Sequence, residues 1–66
     1  MSLCPICNGN PLYSVLINLH TGKVEHYSYA CLCGKCRAFS VDSGTLSEAW
    51  EECVGDLNFL IAHSYF

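Results

Sequence analysis

The sequence carries two Cys-x-x-Cys pairs, CPIC at residues 4–7 and CGKC at residues 33–36. A Cys-x-x-Cys turn places two sulfur atoms on one side of a tight loop. Two such turns together supply the four thiolates of a closed, tetrahedral zinc site. We therefore expect one structural Zn²⁺ ion per chain, bound by Cys4, Cys7, Cys33 and Cys36.

Two disulfide bonds are the alternative use of these pairs. The sequence has no basic and apolar leader followed by a small-residue cleavage site, so we expect a cytoplasmic chain whose thiols stay reduced. A thioredoxin-like redox role needs a Cys-x-x-Cys that opens a helix within a βαβ unit, and neither pair has that context. The longest apolar runs, residues 15–17 and 59–62, are too short to span a bilayer, so we expect no membrane association.

The remaining cysteines and the histidines are weaker candidates. Cys31 lies two residues before Cys33 and could replace it as the partner of Cys36, although the Cys-x-x-Cys spacing favours Cys33. Cys53 falls on the apolar side of a predicted helix, where it is expected to be a small buried hydrophobe. The histidines have no partner at ligand spacing and are not expected to bind metal; they are His20, His26 and His63.

Size and charge limit the function. The chain has 66 residues, 52% hydrophobic and 14% charged, which predicts one folded domain over residues 1–66 rather than a disordered tail. A core of this size needs additional stabilisation, which a metal would supply. The formal net charge is −3, and four thiolates with one Zn²⁺ ion add −4 and +2, which brings it to −5. We therefore do not expect tight binding to DNA.

Two stretches rich in β-branched and aromatic residues, 12–19 and 24–31, predict a β-hairpin. Residues 20–23 between them form a turn signal, in which Gly22 is available for a positive φ. The hairpin would bring the two cysteine pairs together. Residues 38–41 are expected to add a short third strand.

A register follows if residues 21–22 are a two-residue loop. Val15 would then face Ser28, and Tyr27 and Tyr29 would lie on the sheet face opposite Val15. Neither face of this hairpin is fully polar, so we expect both faces to be at least partly covered.

The C-terminal segment predicts one amphipathic helix over residues 45–62, since its apolar residues recur at helical spacing. Thr45 and Glu48 match a capping box at its start. Gly55 weakens the helix, and the alternative is a break at Gly55 followed by a strand. The expected fold is a small α+β zinc ribbon with this helix at its end. The apolar positions of the predicted helix are Leu46, Ala49, Trp50, Cys53, Val54, Leu57, Leu60 and Ile61.

The other side of the predicted helix is acidic and is expected to be solvated. Phe59 projects from this polar side and could join two later aromatic residues in an exposed apolar patch. Such a patch would serve as a partner contact or as a homodimer contact. Its members are Phe59, Tyr65 and Phe66, and the acidic residues are Glu48, Glu51, Glu52 and Asp56.

Three motifs in order, CPICNG at residues 4–9, CGKC at residues 33–36 and SEAW at residues 47–50, resemble the Lar-like restriction alleviation family. Those small bacterial and prophage proteins have a Cys-Pro-Phe-Cys-Gly knuckle, a second Cys-x-x-Cys-Gly knuckle and a Glu-Ala-Trp-Asn-like helix. The resemblance covers about residues 3–52. Departures from the family pattern occur at Asn8, Arg37 and Glu51.

Two of these departures concern the knuckles. Asn8 accepts a positive φ well in place of the glycine that follows the first knuckle. Arg37 does so less readily, so either the second turn differs from the family pattern or Cys31 participates as a ligand.

The resemblance implies a phage or prophage protein in the bacterial cytoplasm that helps incoming DNA to escape a host type I restriction–modification complex. It implies no catalytic residue. The sequence also lacks a nucleophile paired with a base and an open metal position, so we do not expect an enzyme. The alternative is a nucleic-acid-binding zinc ribbon that stacks a single strand on aromatic and basic side chains. That set is Lys23, Lys35, Arg37, Tyr27 and Tyr29.

Overall fold

A computed structural model describes residues 2–63 as a three-stranded antiparallel sheet followed by one helix. The strands lie in the order β1-β2-β3, with β2 in the centre. The predicted small α+β architecture is therefore confirmed, with strand ends shifted by one or two residues. The elements are β1 (Leu12–Ile17), β2 (Val24–Ala30), β3 (Arg37–Ser40) and α1 (Leu46–Ala62).

The turn between β1 and β2 is longer than the predicted two residues. The backbone N–H of Asn18 donates to the carbonyl of Lys23 at 2.8 Å, and the N–H of Gly22 donates to the carbonyl of Asn18 at 2.7 Å. The Asn18 side chain also accepts a hydrogen bond from the N–H of His20 at 2.9 Å. Gly22 has a φ of 72°, as expected, but the two-residue loop is wrong because Asn18 organises a wider turn.

The predicted strand register is also wrong, and the wider turn and a β-bulge are together the reason. The wider turn pairs Ile17 with Val24. Glu25 is then an extra residue in β2 beside the end of β1, so that Val15 lies opposite Tyr27. One extra residue moves every following side chain to the other face of the pairing. Tyr27 and Tyr29 therefore share a face with Tyr13 and Val15 instead of lying opposite them.

Helix α1 covers one face of the sheet at β2 and β3, and it leaves the other face open. The helix face, defined by Tyr13, Val15, Tyr27, Tyr29 and Ala38, receives α1, which contacts β3 and β2. The open face carries no helix or strand of residues 2–63, and its half-buried side chains are those of the central strand, His26, Ser28 and Ala30. Its members are Leu12, Ser14, Leu16, His26, Ser28, Ala30, Arg37 and Phe39.

Helix α1 is continuous through Gly55, so the alternative of a break and a later strand is wrong. Its buried side chains form a single stripe that packs on the helix face. Leu60 and Ile61 were predicted to belong to this stripe, but they are 36% and 43% exposed. The helix is about 26 Å long and β3 only about 13 Å, so its last turns extend past the strand. The buried residues are Leu46, Trp50, Val54 and Leu57.

The predicted capping box at the start of the helix is wrong. Thr45 makes no side-chain cap hydrogen bond to α1, because it belongs to a 3₁₀ turn, Ser43–Thr45, that precedes the helix. Asp42 caps this turn by accepting a hydrogen bond from the N–H of Gly44 at 2.8 Å. The Thr45 hydroxyl instead donates to the Asp42 carbonyl at 3.0 Å.

Within residues 2–63, no helix has the length and apolar character that crossing a bilayer requires.

Candidate metal centre

The first cysteine loop is closed by two backbone hydrogen bonds. The N–H of Cys4 donates to the carbonyl of Gly9 at 3.0 Å, and the N–H of Asn8 donates to the carbonyl of Cys4 at 2.8 Å. Asn8 has a φ of 56°, as its tolerance of the left-handed region predicts. A Cβ atom on Gly9 would lie 3.3 Å from the Cys7 sulfur, so this position favours glycine. The loop therefore turns tightly beneath its two sulfur atoms.

The second loop has the same plan but a shorter spacing between its first two cysteines. The N–H of Cys31 donates to the carbonyl of Cys36 at 3.1 Å, and the N–H of Gly34 donates to the carbonyl of Cys31 at 3.0 Å. Gly34, with a φ of 73°, has the role that Asn8 has in the first loop. In both loops the residue with positive φ directly follows a cysteine, here Cys33. Arg37 is in β3 and needs no left-handed conformation.

Four sulfur atoms from the two loops form one compact group, hereafter the sulfur cluster. All four lie within 4.8 Å of one another. The Cys4 and Cys33 sulfurs are 3.6 Å apart, and the Cys31 and Cys33 sulfurs are 3.1 Å apart. Ligands at about 2.3 Å in a tetrahedron have sulfur–sulfur distances of about 3.8 Å, so the arrangement suits one metal ion. The members are Cys4, Cys7, Cys31 and Cys33.

Three of the four predicted ligands belong to this cluster, and the fourth predicted ligand, Cys36, does not. Cys31 is in the cluster together with Cys33 rather than in place of it. Cys36 is fully buried, and its backbone N–H donates to the Cys31 sulfur at 3.2 Å. The sequence contains a signal for Cys31. In the first loop Asn8, which has positive φ, directly follows the second cysteine, Cys7. Gly34 directly follows Cys33 in the same way, so Cys33 corresponds to Cys7 and Cys31 corresponds to Cys4.

The sulfur cluster changes the proton affinity of its members. Burial alone would raise the pKa of Cys31, but hydrogen bonds from Cys33 and from the backbone N–H of Cys36 outweigh burial and lower it to about 6. The hydrogen bond with Cys31 raises the pKa of Cys33 to about 12. Within this pair the thiolate is therefore favoured on Cys31. Thiols lose their protons when they bind a metal ion, so metal affinity should rise with pH.

The remaining cysteine and histidines lie outside the cluster. Cys53 is half-buried on α1 and packs against the core, in line with the hydrophobic role predicted for it. His20 is in the hairpin turn, His26 contacts the Phe39 ring on the open face, and His63 stacks on Phe59.

An N-terminal anchor, which the sequence did not reveal, joins the first loop to α1. The backbone N–H and the hydroxyl of Ser2 donate to the two carboxylate oxygens of Glu51 at 2.7 and 2.5 Å. The indole N–H of Trp50 donates to the Ser2 carbonyl at 2.8 Å. The contacts with Ser2 hold the pKa of Glu51 below its usual value. Glu51 was predicted to be simply solvated, but it fixes the chain two residues before Cys4.

The aromatic and basic residues considered for nucleic-acid binding are distributed over different parts of the molecule. Tyr27 and Tyr29 are half-buried on the helix face, whereas Arg37 belongs to the open face. Lys23 and Lys35 lie beyond opposite ends of β2, whose seven residues span about 23 Å. The described residues therefore do not bring these five side chains onto one surface.

Comparison of the chain with protein-family models, with curated proteins and with solved structures gives no match. The resemblance to the Lar-like family therefore rests on the three motifs quoted from the sequence.

The predicted apolar patch at the end of α1 is only partly described. Phe59 is 56% exposed, whereas Tyr65 and Phe66 lie outside the residues that the structure describes, so the patch stays a prediction.

Proposed function

We propose that this chain is a small interaction domain stabilised by one structural Zn²⁺ ion in the sulfur cluster. The observation that carries the proposal is the convergence of four sulfur atoms from two separate loops within 4.8 Å. Four thiolates and no open position are typical of a structural zinc site, and soft sulfur ligands select zinc or iron over magnesium and calcium. The proposed ligand set contains Cys31 where the Cys-x-x-Cys spacing predicted Cys36.

The metal would join the N-terminal end of the described chain to the segment that follows β2. Cys4 and Cys7 are on an N-terminal arm, residues 2–11, that contains no helix or strand, and the other two ligands follow β2. Outside the cluster, hydrogen bonds also link the arm to α1 of the described chain. They are the contacts of the N-terminal anchor at Ser2. Bound zinc contributes about 10 kcal/mol or more to folding, comparable to the whole net stability of a small domain.

A pair of variants tests the ligand set. Cys31→Ala should reduce zinc stoichiometry or weaken zinc affinity by orders of magnitude, because it removes a ligand. Cys36→Ala should keep one zinc per chain, although it costs stability because the Cys36 side chain is fully buried. Competition with a chromogenic chelator measures affinity separately from folding, and Cys53→Ala is the matched control on α1. Retained affinity in Cys31→Ala with loss in Cys36→Ala would restore the ligand set predicted from spacing.

We propose further that the domain acts in the bacterial cytoplasm on a host defence protein, a type I restriction–modification complex, and that it acts by binding rather than by catalysis. The Lar-like motifs support this target. An acidic surface on α1 also supports it, since such a surface would be attracted to the basic DNA channel of the complex and would speed encounter. Glu48, Glu52 and Asp56 are exposed there.

A plating assay tests this target. Expression of the chain should raise the plating efficiency of unmodified phage on a host with a type I system, and the double variant Glu48→Gln with Glu52→Gln should lose that effect while keeping its zinc. Ser47→Ala, also exposed at the start of α1, is the control. Absence of protection, together with salt-sensitive retention on a DNA or RNA column, would favour the nucleic-acid-binding alternative instead.

A further inference from the structure

Strand β1 is an unprotected sheet edge. It pairs with β2 on one side, and in the order β1-β2-β3 its other side is free of any strand of residues 2–63. All six of its residues are exposed, and the strand contains no charge, no proline and no glycine. Natural sheets usually protect such an edge with lysine, proline, a bulge or a short strand, because its unpaired N–H and C=O groups can pair with another chain.

The opposite edge of the sheet is protected in the usual way. Strand β3 is four residues long and begins with a charged residue, Arg37. It also lies under α1, which packs against it more extensively than against β2. Strand β1 has no such feature within its own six residues, since the bulge at Glu25 lies in β2 beside the end of β1.

We propose that the free edge of β1 is a dimerisation site, at which β1 of a second copy of this chain pairs antiparallel to form a six-stranded sheet. The proposal is independent of the host target proposed above. It concerns what this chain does with its own exposed strand.

The sequence of β1 is complementary to itself about Ser14. Antiparallel pairing about a two-fold axis at Ser14 places Leu12 opposite Leu16 of the second copy on the open face. It also places Tyr13 opposite Val15 of the second copy on the helix face. Apolar cross-strand pairs of these kinds, in particular aromatic with β-branched, stabilise a sheet. Because the strand is uncharged, two copies of a chain with net charge −3 meet here without like-charge contact.

The helices allow this approach. Helix α1 packs over β3 and β2, and β3 is two strand spacings, about 10 Å, from β1. A two-fold axis perpendicular to the sheet keeps both helices on the same side but over opposite ends of the six-stranded sheet. The free edges of the dimer would be the two β3 strands, which are short and charged, so the assembly closes at two copies.

Mass measurement on the zinc-loaded full chain tests the proposal. Sedimentation equilibrium over a wide concentration range should give twice the 7.3 kDa monomer mass. Ser14→Lys should give a monomer, because it places two like charges in direct opposition at the two-fold axis. Ser47→Lys changes the net charge equally at an exposed helix position and should remain dimeric, and zinc content reports folding in each variant.

Two results would overturn the proposal. One is a monomer mass at every concentration for the unmodified chain, which would leave the edge to a different partner or to solvent. The other is a dimer that persists in Ser14→Lys, and loss of that dimer in Phe59→Ser would then assign the interface to the end of α1.

Discussion

Trp50 is the residue at which the helix, the sheet and the N-terminal arm meet. Its side chain is fully buried, as the helical pattern predicted. Its ring packs edge-on against Tyr29 with centroids 6.0 Å apart, and its indole N–H donates to the Ser2 carbonyl. A tryptophan is suited to this position because it combines a large apolar surface with one polar group that has a partner.

Trp50→Ala should therefore destabilise the protein by about 3 kcal/mol or more, through lost burial and the cavity left behind. Trp50→Phe should keep part of the packing while it removes the hydrogen bond to Ser2. Denaturant unfolding at saturating zinc measures both variants, with Cys53→Ala as the milder control that keeps its zinc. A Trp50→Ala variant as stable as the unmodified protein would show that the helix does not depend on this contact.

Glu51 anchors the N-terminal arm, a role that the sequence pattern did not indicate. Its carboxylate accepts both hydrogen bonds of Ser2 and so holds the arm that leads to Cys4. Glu51→Ala should loosen the arm and weaken zinc affinity, whereas Glu52→Ala, one position along the same helix, should leave affinity unchanged. Chelator competition provides the comparison, and equal affinities in the two variants would contradict the anchoring role.

At the scale of elements, the sequence predicted which segments form strands and helix but not how β1 and β2 align. Hydrophobic periodicity depends only on residue types, and it identified α1 and its buried stripe well. The register depends on the bulge at Glu25 and the wide turn organised by Asn18, and neither has a composition signal strong enough to exclude a two-residue loop. The same limit applies to Cys31, because loop geometry rather than Cys-x-x-Cys spacing decides which sulfurs converge.

Gly55 offers a test of the helix as an element. A Cβ atom at Gly55 would have no atom within 4 Å outside the local helix backbone, and the position is exposed. Gly55→Ala should stabilise the protein by about 1 kcal/mol, because alanine loses less backbone entropy on forming a helix. Gly22→Ala is the control: that site is equally open, but its φ of 72° strains any side chain, so stability should fall. Thermal unfolding of both variants distinguishes the two cases, and a destabilised Gly55→Ala would contradict the continuous helix.

The whole molecule is long and thin, with extents of 45 × 19 × 19 Å. Its buried core contains eight residues of the described chain, and three of those are cysteines of the two loops. A core of this size offsets little of the entropy lost when 62 described residues become ordered. We therefore expect the stability of the fold to depend on a metal ion bound at the sulfur cluster. The sequence predicted a zinc site here, with Cys36 where the cluster has Cys31.

Zinc removal followed by circular dichroism tests this dependence most directly. The purified chain should contain one zinc per molecule by elemental analysis. A strong chelator under reducing conditions should abolish cooperative thermal unfolding, and one equivalent of zinc should restore it. A chain that contains no zinc, or that still unfolds cooperatively at the same temperature after the chelator has removed the metal, would contradict the account.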